Sequence, residues 1–170
     1  MISAAYVRQM AAYNHWQHTK LTAAADTLSE EERRAGRGAF FGSIFGTLNH
    51  LLWGDTIWLH RFAGTGMPQS PNIPVSTGEA ATWQEYKDRR EAKDQDIIRW
   101  ADGLSDASLT GDLSYFSLAV DRDLTKPLAL FVMHFFNHQT HHRGQVHAML
   151  TACGKDYGDT DVAFMPEEFG

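Results

Sequence analysis

Two histidines, His138 and His142, stand four residues apart in the run Asn137-His138-Gln139-Thr140-His141-His142-Arg143-Gly144-Gln145. On a helix this spacing stacks them on one face, about 6 Å apart along the axis. Two imidazoles so placed can converge on one metal ion at about 2.0–2.1 Å each. Around them Leu128, Phe131, Phe135, Gln145 and Met149 recur at alternating steps of three and four, the pattern of a core-facing seam. A buried polar ring without a partner costs on the order of 1–3 kcal/mol. Two such rings on an apolar stripe therefore call for a common partner, and a metal ion is one. The pairs His134 with His138 and His134 with His141 have compatible spacing too. They draw on the neighbouring stripe of Leu130, Asn137, Gly144 and Ala148, which faces the boundary, so His138 with His142 is preferred. The bland alternative is a pair of core histidines with ordinary hydrogen-bond partners, or an exposed histidine-rich face.

A third ligand must come from another element. His50 is the first choice, in Gly46-Thr47-Leu48-Asn49-His50-Leu51-Leu52, where Gly46, Thr47 and Gly54 leave room beside its ring. His60, near the end of the same helix, and His15 and His18, on the first, compete with it. Asp55 falls on an inner stripe and is placed to orient a ligand or act as a base; pairing with Arg61 or a backbone group is the plainer role. Gln145, one turn below His142, is placed to hold a metal-bound water, and Asn14 and Gln17 to line a pocket from the first helix. Arg143 reads as a surface or helix-end partner. Cys153 reads as a buried structural thiol rather than a nucleophile. Trp53, Trp58, Trp83 and Trp100 read as core or dimer-interface residues.

With Tyr13-Asn14-His15-Trp16, the runs around His50 and His142 resemble the DinB-like (damage-inducible) proteins over about Val7 to Leu150. The resemblance implies a four-helix bundle, often a homodimer, with one divalent metal ion held by three histidines. By motif position these fall on His50, His138 and His142, and the ion is zinc or nickel. Relatives include mycothiol-dependent maleylpyruvate isomerases and bacillithiol transferases. The resemblance thus implies a metal-dependent enzyme in which a low-molecular-weight thiol cosubstrate, deprotonated at an open metal position, attacks a small electrophile. Attack by an activated water is the hydrolytic variant. The alternative is a non-catalytic metal-binding protein, serving in stress response or as a sensor.

The elements that must position these residues follow from periodicity. A first helix is predicted over about Ser3–Leu28, with Met10, Tyr13, Gln17, Leu21, Ala24 and Leu28 on one face. A second runs over Ser43–Phe62, capped by Ser43 and apolar on several sides. A proline-bearing loop covers Gly64–Gly78. A third helix starts near Thr77 or Glu79, with Trp83, Tyr86, Arg90, Ile97 and Leu104 inside and Lys87, Asp88, Arg89, Glu91, Lys93 and Asp94 solvated. Residues Asp106–Lys126 are irregular; an extended Leu113–Leu118 and a turn at Asp121-Arg122-Asp123 allow a small hairpin. The last helix begins at Pro127 and ends at about Cys153, with Gly154 as its stop. The expected fold is an all-α four-helix bundle over residues 1–154 with a C-terminal tail over 155–170.

The 170 residues are enough for one domain with a substantial core. A net charge of −6 argues against a broad nucleic-acid contact, which needs a basic face, and against an anionic membrane surface. Met1–Lys20 lacks the pattern of a signal peptide. No run reaches the roughly 18 apolar residues of a membrane span. The single cysteine forms no internal disulfide. The expectation is a cytoplasmic protein acting on a small molecule.

Overall fold

The computed structural model describes residues 1–117 and 119–170; Leu118, the end of the expected extended run, lies outside them. Three of the four long helices start where a hydroxyl caps them. Ser3 accepts from the Tyr6 N–H ahead of α1 (Ala4–Asp26), Ser43 from Gly46 ahead of α3 (Ile44–Ala63), and Thr82 from Glu85 ahead of α4 (Trp83–Asp102). Ser29 and Glu32 form a reciprocal capping box on the short α2 (Glu30–Arg34). Gly64, at φ 68°, ends α3 in the left-handed region that glycine enters without strain.

The third long helix begins later than periodicity suggested. Ile73–Gly78 is a 3-10 turn, and the next residues are committed to tertiary bonds. The buried Glu79 carboxylate accepts from the Gln69 and Ser70 amides and pairs with Arg89, while the Ala80 N–H donates to Asn49 Oδ1 at 2.6 Å. These bonds pin the proline loop onto α3, and the helix starts at the next available cap. The hairpin is present: β1 (Asp112–Ser117) pairs antiparallel with β2 (Arg122–Pro127), placing Tyr115 opposite Leu124, and Asp121 turns the chain at φ 49°. Pro127 closes β2 and precedes α5 (Leu128–Ala152).

The four long helices pack as a closed ring: α1 on α4 and α5, and α3 on α4 and α5. Their apolar residues form two clusters at the two ends of the bundle. One holds Leu21, Leu28, Phe45, Leu48, Tyr86, Val146 and Leu150; the other holds Val7, Ala11, Leu59, Ile97, Val132, Phe135 and Phe136. Between them lies a buried polar layer to which all four helices contribute: Asn14 and His18 from α1, Asp55 from α3, Arg90 and Asp94 from α4, and Gln139 and Arg143 from α5.

This layer overturns two readings of the sequence. Asp94, placed on a solvated face, is 3% exposed, and Arg143, read as a surface residue, is 4% exposed. Asp94 sits one turn beyond Arg90 and faces inward with it. Arg90 donates to Asp55 Oδ2 at 2.6 Å and to Asp94 Oδ1 at 2.8 Å, and His18 Nδ1 lies 2.9 Å from the same Asp94 oxygen. Burial alone would push the Asp94 carboxyl up, but Arg90 and His18 outweigh it and hold it well below the usual carboxylate range.

The segment after Gly154 folds back along α1. Tyr157 is buried, and its hydroxyl donates to Gln17 Oε1 at 2.6 Å. Tyr13 in turn donates to the Thr160 carbonyl at 2.7 Å. No helix of the described residues is long and apolar enough to cross a membrane.

Candidate metal centre

His50 on α3 and His138 and His142 on α5 meet at the seam between the two helices. Their ring centroids are 5.1 Å (His50–His138), 4.8 Å (His50–His142) and 4.5 Å (His138–His142) apart. One nitrogen from each ring lies within 4.8 Å of the other two. The cluster sits level with the polar layer but on the flank of the bundle rather than on its axis. The most buried stripe of α5 is one residue further round than periodicity suggested, through Phe135, Gln139, Arg143 and Val146, and this turns His138 and His142 toward the side.

Hydrogen bonds fix which nitrogen each outer ring presents. The Ser76 hydroxyl donates to the Ile73 carbonyl at 2.7 Å, so toward His50 it accepts, taking Nδ1–H at 2.8 Å. His142 donates its Nδ1–H to Gln145 Oε1 at 2.8 Å, and the Gln145 amide donates to His141 Nε2 at 3.2 Å. Both bonds leave Nε2 as the lone-pair nitrogen, the arrangement found behind metal-binding imidazoles. His138 Nδ1 is buried without a partner, and its Nε2 lies 3.1 Å from His50 Nε2.

Burial, with the neighbouring imidazoles adding to it, lowers the pKa of His50 to about 3 and that of His138 to about 2; His142 is lowered as well, chiefly by burial. The rings are therefore neutral near pH 7. A single ring proton between His50 and His138 would satisfy one contact and leave His142 Nε2 without a partner. A divalent cation satisfies all three lone pairs. Tetrahedral bonds of about 2.05 Å imply nitrogens about 3.3 Å apart, close to the shortest separation here. The residues present thus fit a metal ion. Among the described residues no aspartate, glutamate or cysteine joins the cluster as a fourth donor.

Close packing holds the rings in place. Phe41 stacks on His50 at 3.7 Å between centroids, and Trp53 lies stacked at 5.7 Å, anchored by its indole N–H to the Ser70 carbonyl at 2.8 Å. A Cβ at Gly54 would lie 2.9 Å from His138 Cε1, so a larger residue there would push the ring from its present place.

A cavity of about 810 Å³ opens from the cluster. Its floor is one stripe of α3, comprising His50, Trp53, Gly54, Ile57, Trp58 and Arg61, and the stripe of α5 carrying His134, His138, His141, His142 and Gln145. The proline loop supplies Met67, Pro68 and Ile73 to the walls, and the hairpin supplies Tyr115 and Phe116. Gln145 lies here. Asp55, Asn14 and Gln17 do not. Asp55 accepts from Arg90 and from Gln139 Nε2, the latter at 2.9 Å, in the interior; it has neither Arg61 nor a ligand histidine as a hydrogen-bond partner. Asn14 donates to Gln139 Oε1 behind the site, and Gln17 is engaged by Tyr157. Both face the axis of the bundle and not its flank.

The competing histidines have other partners. His18 bonds Asp94, His15 lies 3.8 Å from the same carboxylate, and the His60 ring meets the Thr65 carbonyl. Sequence reasoning missed Ser76, Phe41 and Arg61. Ser76 is 26 residues from His50 in a loop without periodicity, and nothing local marks it.

No curated protein matches the chain at a significant level. The sequence model of the DinB family matches residues 1–168, which take in all four long helices, the three converging histidines and most of the segment that folds back on α1. The chain belongs to the DinB family.

Proposed function

We propose that this protein holds one divalent metal ion, zinc or nickel, through His50, His138 and His142, and that it is an enzyme acting on a small electrophile with a thiol cosubstrate. The observation that carries the reading is three neutral imidazoles turning lone pairs toward one point at the end of an open cavity. Nitrogen donors without a carboxylate suit zinc, nickel and other first-row ions. When bound, the ion supplies Lewis acidity, so that a thiol or a water reaching it loses its proton near neutral pH. The chain's own part is positional. Ser76 and Gln145 hold the outer rings in the metal-binding tautomer, and Gly54 admits the third. The aromatic walls exclude water and take up the apolar body of a substrate. No carboxylate lines the cavity among the described residues, so His134 is the side chain placed to accept a proton there. A sealed metal would favour a non-catalytic role; the open cavity favours chemistry. The homodimer suggested by family likeness belongs to the same proposal, and light scattering in solution tests it.

The direct experiment is elemental analysis of protein purified without an affinity tag, followed by trial of low-molecular-weight thiols with small electrophiles. The expected result is about one zinc or nickel per chain and metal-dependent consumption of one thiol with one electrophile. Protein that takes up neither ion defeats the metal reading. Protein that takes up metal but turns over no pair defeats the enzyme reading and leaves a metal-holding protein.

A further inference from the structure

Arg61 is a cation without a counter-ion in an apolar cavity. It lies seven residues beyond Gly54 on the same face of α3, which places it two turns, about 10 Å, along the helix from the glycine that backs His138. Its guanidinium carbon is 3.8 Å from the centre of the Tyr115 ring and 4.6 Å from that of Trp58. These rings hold the group by cation–π contact and leave its charge uncompensated. No acidic side chain lies among the described residues lining the cavity, and none pairs with Arg61. Arg89 and Arg90 are matched by Glu79, Asp55 and Asp94; the buried Arg143 lacks a carboxylate partner too, but it faces the interior and not the cavity. In a chain of net charge −6, a half-buried unpaired guanidinium facing an open cavity needs a reason.

We propose that Arg61 is a specificity-determining residue that binds the carboxylate of an organic acid, seating a monoanionic substrate with its reactive end toward the histidine cluster. The fork of guanidinium N–H donors matches a carboxylate. At this end of the cavity, one guanidinium balances the single negative charge of a carboxylate. Between anchor and cluster lie Trp53, Ile57 and Trp58, so the molecule has an apolar or aromatic middle. The inference rests on the proposed function only in taking this cavity as the substrate site.

Quenching of tryptophan fluorescence reports binding directly, because Trp53 and Trp58 line the cavity. The probes are 4-phenylbutanoate, its uncharged amide and phenylphosphonate, each titrated into zinc-loaded and metal-free protein. The expected result is that the acid binds at least about ten-fold more tightly than the amide, the size of one charge-assisted contact. This preference disappears in Arg61→Gln and survives in part in Arg61→Lys, while both variants keep the metal content of the parent. A preference that persists in Arg61→Gln and vanishes on metal removal sends the anion to the metal and overturns the assignment. So does equal binding of acid and amide by the parent protein, or phosphonate binding more than ten-fold tighter than the acid. Should the protein take up no metal and still lose its acid preference only in Arg61→Gln, the anchor stands and the metal reading falls. Arg61→Lys, which keeps the charge, separates lost charge from lost packing on Tyr115.

Discussion

Two groups of polar side chains sit at the same height in this bundle, one on its axis and one on its flank, and they are satisfied in opposite ways. The axial group contains two carboxylates, Asp55 and Asp94, bridged by Arg90 and bonded to Gln139 and His18, with Arg143 buried beside them and bonded to Thr140. Its charges cancel within the protein. The flanking group is three neutral rings whose lone pairs have no common donor in the protein, opening on a cavity whose one charged side chain, among the described residues, is Arg61. Burial by itself therefore does not mark a functional site. Asp55 is more deeply buried than His142, and all its hydrogen bonds are internal. Unfilled bonding capacity beside an accessible volume marks it.

The comparison can be broken most easily on the axis. Asp55→Ala leaves Arg90 with a buried, partly uncompensated charge and should cost about 3–5 kcal/mol of stability. Urea unfolding of the metal-free protein measures it, and a loss under about 1 kcal/mol would mean that the layer is not an integrated charge network. On the flank the expected sensitivity is reversed. His142→Ala should lower metal affinity by more than about 100-fold, beyond what loss of a supporting partner does, while leaving the metal-free fold intact by circular dichroism. Ser76→Ala and Gln145→Ala, which remove only the acceptors behind His50 and His142, should each weaken metal binding about 10–100-fold; unchanged affinity by competition with a chelator would deny them that role.

Acid should act on the two regions together. The folded pKa values of His50 and His138, about 3 and about 2, lie below the ordinary value of 6.5. The unfolded chain therefore takes up protons from about pH 6.5 downward while the folded chain does not. Stability is full above pH 6.5 and declines as the pH falls toward 3. Sequence alone suggests metal loss by direct protonation below about pH 6.5. The buried rings instead predict that metal leaves together with loss of helix, at lower pH. Release near pH 6 with the helical signal unchanged would show the rings to be more open than their packing. The smallest expected effect is that of His141→Ala. It lies beside the cluster, bonded to Gln145, and metal content should match that of the parent. Loss of metal there would move the site to the outer stripe of α5.

Much of the local structure was legible in the chain. Ser3, Ser43 and Gly64 mark helix ends by their own chemistry, and the turn at Asp121 marks the hairpin. What misled was the angular reading of helices with polar residues on several sides. Successive residues on a helix differ by about 100°, so a stripe through His138 and His142 lies next to one through Gln139 and Arg143. In α5 both stripes mix apolar and polar residues, and spacing does not say which faces the axis. The same ambiguity put Asp94 outside, because a charged residue reads as solvated until its partners on α1 and α4 are known.

By itself the sequence determined that His138 and His142 share a helix face, since helical spacing makes that a local property of four residues. It also carried enough motif to select His50 as their third partner. Only the tertiary structure decided that the three rings stand on the flank rather than the axis, that Ser76 backs His50, and that Arg61 shares their cavity without a carboxylate. Those facts depend on how α3 and α5 are rotated against each other and on where the proline loop and hairpin close over them. Rotation and closure are settled by the packing of the whole bundle, and short-range spacing does not encode them.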